Sequence, residues 1–81
     1  MRRRQMSLDE AARQLRMAGH DAQVAFDCIG FGELERAQEH AITARAAADA
    51  AETALRTAMA DMTAEEAQQA GDRAIAALKD L

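Results

Sequence analysis

The sequence predicts an all-α protein, a long antiparallel helical hairpin plus a shorter third helix, with an alanine-rich, close-packed seam and assembly into a dimeric bundle. Three observations lead there. Alanine fills 22 of the 81 positions while Leu, Ile, Val and Phe together fill 12, and proline is absent. Apolar residues recur at alternating 4- and 3-residue steps, the spacing of one face of a helix. Finally, seven positions in the first helical stretch pair with seven in the second so that each pair of residue numbers sums to 63: Leu8 with Leu55, Ala12 with Ala51, Leu15 with Ala48, Gly19 with Ala44, Ala22 with Ala41, Phe26 with Ala37, and Ile29 with Leu34.

The elements follow in chain order. Ser7-Leu8-Asp9-Glu10 has the form of a capping box, so the first helix is expected over about 8–29, preceded by a flexible basic stretch, 1–6. Gly30 suits the left-handed position after a helix, which would place Phe31 where it can pack back on Phe26 in a Schellman stop. The second helix is expected over about 33–62. Thr63-Ala64-Glu65-Glu66 is a second capping box, and the third helix should run over about 64–81. Residues 7–81 therefore form one helical domain. Folded back along the second helix, the third would set Leu78 and Leu81 against the small residues from Ala44 to Ala48. Gly19 opposite Ala44 leaves least room between backbones, and Ala11, Ala18 and Ala25 widen the first helix's stripe to one side as a place to dock.

A core of alanine buries little area per residue, and at roughly 25 cal/mol per Å² it contributes much less than a leucine core. Dimerisation is the usual remedy for so thin a core. Apolar residues outside the paired seam mark where a partner would sit. Met17, Val24 and Phe31 recur at sevens, Cys28 lies one turn from Val24, and Ile42 is off the seam of the second helix. These five are the candidate dimer or partner interface.

Chemistry has weaker footing. His20, Cys28 and His40 are ligand types, but no metal-binding spacing such as HxxxH, CxxC or HExxH joins them. Gly30-Phe31-Gly32 does not follow a strand and lacks the rest of a phosphate-binding fingerprint. No nucleophile and base form a recognisable motif. We therefore expect no enzyme, no metal and no cofactor. Nucleic-acid binding is the alternative reading, because Arg2, Arg3, Arg4, Arg13 and Arg16 gather in the first 16 residues of a chain whose net charge is −4. Against it, Glu33, Glu35 and Glu39 occupy the start of the second helix, where a recognition helix would meet phosphates.

No apolar run approaches the ~20 residues of a membrane span, and the opening arginines lead into no signal-like apolar segment. A single cysteine cannot form an internal disulfide, so the expected compartment is the cytoplasm. Met6 ahead of the capping box would itself make a normal start. The expected function is that of a small non-enzymatic protein-interaction module, such as a regulator, inhibitor, anti-activator or co-chaperone that binds a larger protein through a helical face.

Overall fold

The computed structural model describes residues 2–60 and 62–79, with α1 over Arg2–Gly30, α2 over Leu34–Met59 and α3 over Ala64–Lys79. Among the described residues there is no strand. The molecule is elongated, 46 × 24 × 17 Å. α1 is its middle element: α2 packs along it as the hairpin partner, α3 lies against it, and α2 and α3 scarcely touch.

The hairpin turns where predicted, but its helices are rotated. The buried positions of α1 are Ala11, Asp21, Ala25 and Cys28, with Ala18 half-buried; those of α2 are Ala37, Ala47, Ala51 and Ala58, with His40, Ala44 and Ala54 half-buried. Both sets keep the 4- and 3-residue steps. His40 Nδ1 donates to Asp21 Oδ1 across the hairpin at 3.1 Å, a pair whose numbers sum to 61. That sum lies two below the predicted 63. The point of symmetry in the turn stands, but the face of α1 that meets α2 lies one residue, about 100°, from the expected one. Leu15, Gly19, Ala22, Phe26 and Ile29 are exposed beside the seam, as are Leu34, Ala41 and Ala48 of α2. Ala11, Ala18 and Ala25, expected on the flank, lie within the seam.

The reason is that α1 has apolar residues in three adjacent columns, and spacing cannot choose which two face the partner. Turning the alanine columns inward lets the backbones approach closely. It also sets the Asp21 carboxylate where His40 can satisfy it, as a buried polar group requires. Gly19 consequently meets no atom of the fold: a Cβ built there has nothing within 4 Å.

The turn also shifts. Gly32, with φ 73°, takes the left-handed position expected at Gly30. The Gly32 N–H donates to the Ile29 carbonyl at 3.0 Å and the Glu33 N–H to the Cys28 carbonyl at 2.9 Å, the two bonds of a Schellman motif. Glu33, and not Phe31, thus holds the position that would pack back on the helix. Phe26 and Phe31 are both left exposed.

α1 starts at Arg2, so Ser7 lies inside the helix and its capping box does not form. Arg, Gln and Met continue a helix readily, and the extra turns carry contacts to α3. Gln5 Nε2 donates to the Ala70 carbonyl at 3.0 Å, and Arg73 Nη1 donates to Gln5 Oε1 at 3.2 Å. Ala70 and Ala74 are buried, and Arg16 Nη1 donates to the Leu78 carbonyl at 3.0 Å in the last turn of α3, where a cation suits the helix dipole. The third helix therefore lies along α1 and not along α2, and Leu78 sits beside Arg13, Arg16, Met17 and His20. Leu81 falls outside the described residues. The second capping box forms as expected: the Thr63 N–H donates to Glu66 Oε1 at 2.9 Å and the Glu66 N–H donates to the Thr63 hydroxyl at 3.1 Å. These bonds hold the Glu66 carboxyl below its ordinary range, the Thr63 N–H contributing most. α2 stops at Met59, earlier than expected, because Ala60 turns extended at ψ 125°.

Candidate interaction surface

Every residue that packs the seam tightly is small. Ala51 is 0% exposed, Ala58 and Ala11 nearly so, and among the described residues no large side chain is fully buried. The large apolar residues are mostly outside. On the half of the hairpin that α3 does not reach, Phe26 is 71% exposed, Ile29 62%, Phe31 78% and Leu34 66%, while at the other end Met6 and Met59 are exposed singly.

Two flanks border the seam there. On one, Leu15, Ala22, Phe26 and Ile29 of α1 adjoin Leu34, Ala41 and Ala48 of α2. That flank of α1 has no charged side chain between Leu15 and Ile29. On the other lie Met17 and Val24, with Phe31 in the turn. Of the five residues expected at an interface, Met17, Phe31 and Ile42 are exposed and Val24 is half-buried, but Cys28 is 5% exposed and belongs to the seam. Ile42 stands apart with Arg45, Ala46, Ala48 and Asp49 around it. The five therefore do not form one strip. The apolar flank at Phe26, Ile29 and Leu34 escaped sequence reasoning because those residues fit the seam pattern equally well. Asp21 and His40 were the available signal, since placing them opposite each other turns this flank outward.

The arginines are dispersed. Arg13 pairs with Glu10, whose carboxyl is held low first by the Gln14 amide and then by Arg13 itself. Arg16 binds the Leu78 carbonyl, and Arg4 lies near Glu66. Arg3 and Arg13 share a shallow depression with Asp9 and Glu10, an alternation of charges. The side chain of Arg2 is outside the described residues. Among the described residues no three His, Cys, Asp or Glu side chains come together as a metal ion would need, and no helix is long and apolar enough to cross a membrane. His20 is exposed, His40 is engaged by Asp21 and Cys28 is buried.

No protein-family model matches the chain, and neither does any curated protein or solved structure. A functional reading therefore rests on the surface itself.

Proposed function

We propose that this chain works by protein–protein contact, through the half of the hairpin that α3 leaves uncovered. One observation carries the reading: the fold spends alanine on its interior and sets Phe26, Ile29, Phe31 and Leu34 in solvent. A folded monomer gains nothing from such an arrangement, whereas contiguous exposed apolar surface is what an interaction site requires. The aromatic members are of the type that anchors interfaces. A regulator, inhibitor, anti-activator or co-chaperone that binds a larger protein is consistent with these features.

The alternative, phosphate binding by the basic start of α1, has less support, because Arg13 and Arg16 are occupied within the fold and acidic residues stand among the rest. Co-purification from source cells, with the wild type beside an I29E/F31K variant, tests the choice. We expect a protein partner that the variant loses while its circular dichroism stays helical. Recovery of nucleic acid by both proteins, with affinity that falls steeply with salt and vanishes when residues 1–5 are deleted, would contradict the reading.

A further inference from the structure

The accessible surface of the chain is 6003 Å². A compact monomer of this mass exposes ~4,800 Å², so this elongated molecule carries about 1,200 Å² more than a compact one. One partner in a stable interface loses about 800 Å². The excess is as large as a stable contact needs, and Phe26, Ile29 and Leu34 give the distal flank exposed apolar surface to contribute to one.

That flank has the relief of a surface made to meet itself. Phe26, Ile29 and Leu34 project near the tip. Seven residues back along α1, about 10 Å at 1.5 Å per residue, Gly19 and Ala22 leave a depression, which Ala41 continues onto α2. Nothing lies within 4 Å of where a Gly19 Cβ would be. Projection and depression occur on one surface at a fixed spacing. Two copies related by a two-fold axis between them would each place Phe26 and Ile29 over the other's Gly19 and Ala22, the reciprocal contact that defines an isologous interface. A foreign partner would need only one of the two features. The absence of charge along this side of α1 means that closing the contact leaves no ion unpaired there.

We infer that the occupant of this flank is a second copy of the chain, the two distal hairpins pairing antiparallel into a four-helix bundle with alanine seams inside each half. The inference rests on the protein-contact reading and assigns it a partner. It also leaves the opposite flank, with Met17, Val24 and Phe31, free in the dimer.

Sedimentation of the full chain over a wide concentration range tests it. The wild type should be a dimer. Gly19→Leu, which fills the depression without touching the monomer's own packing, and Phe26→Lys should each weaken dimerisation by roughly thirtyfold or more while helicity persists. Met17→Glu, on the opposite flank, should leave the dissociation constant unchanged. A wild type that is monomeric throughout overturns the self-pairing, and the protein-contact reading then survives only if the monomer still captures a protein. A dimer weakened by Met17→Glu and untouched by Gly19→Leu and Phe26→Lys overturns the choice of flank. Should both flank variants lose helicity, the wild type's melting temperature decides: a rise with concentration supports pairing as a condition of folding, and independence of concentration overturns it.

Discussion

Leu8 and Leu55 stand at one end of the hairpin and Ile29 and Leu34 at the other, on the same flank and related by the same symmetry about the turn. Their fates differ. Leu8 and Leu55 are half-buried, roofed by Met62, Ala64 and Ala67 at the start of α3. Ile29 and Leu34 have no third helix above them and are 62% and 66% exposed. The hairpin itself treats both pairs alike, since its seam is closed by alanine along the whole length. A flank residue here is therefore buried by whatever lies across the hairpin, and among the described residues nothing lies across the distal half.

The largest effect is expected where nothing can yield. Ala51→Leu adds three carbons to a side chain with no exposure in the seam under the three-helix end, and overpacking of this kind costs ~1–3 kcal/mol. Thermal or urea unfolding would measure it, and a cost near zero would mean that this end is looser than its burial indicates. The two ends of the flank come next. Leu8→Ala should cost about 1–2 kcal/mol, a fraction of what a fully buried leucine loses. Ile29→Ala in dilute protein should stay within ~0.5 kcal/mol, as for an ordinary surface site. Equal losses at the two positions would erase the distinction between the ends.

Most of the architecture was legible in the residues, and the reason is periodicity. Three helices, the turn at residues 30–32 and the Thr63 capping box all follow from spacing and local hydrogen bonding, which are properties of short segments. The symmetry about the turn followed too, because it depends only on where each helix lies along its axis. Rotation about that axis did not. Leu15, Ala22, Phe26 and Ile29 form as good a stripe as Ala11, Ala18, Ala25 and Cys28, and the larger residues were assigned to the interior on hydrophobicity alone. The tie is broken by a tertiary interaction, Asp21 with His40, that spans the hairpin. The same limit applied to the candidate surface. Met17 and Phe31 are exposed as expected, Cys28 belongs to the seam, and the most apolar flank fits the seam spacing as well as the seam itself does. The start of α1 was set too late for a similar reason, since Gln5 is held by α3, 65 residues further along.

A smaller effect, of opposite sign, is expected at Gly19. Its surroundings are open and its backbone is helical, so Gly19→Ala in dilute protein should gain up to about 1 kcal/mol of stability from helix propensity alone. A loss there would restore the arrangement in which Gly19 faces Ala44. The smallest concerns the cap of α3. Because the folded Glu66 carboxyl titrates below its unfolded value, its contribution is complete above the ordinary carboxylate range and fades as pH falls through the lowered value. Acid should therefore loosen the start of α3, and Glu66→Gln should flatten that part of the helicity profile measured by circular dichroism. An unchanged profile would assign the acid sensitivity elsewhere.

Which face of α1 meets α2 is the claim on which the rest depends, and Cys28 reports it without any substitution. It lies near the hairpin tip at 5% exposure, two residues from the exposed Phe26, and it stays inside the seam whether or not a second copy covers the flank. Native protein treated with a thiol reagent should react slowly, at a rate set by opening of the hairpin, and rapidly once urea has unfolded it. Immediate reaction of the native thiol, at the rate of a free peptide, would place Cys28 on the outside, return Phe26 to the seam and contradict the fold described above.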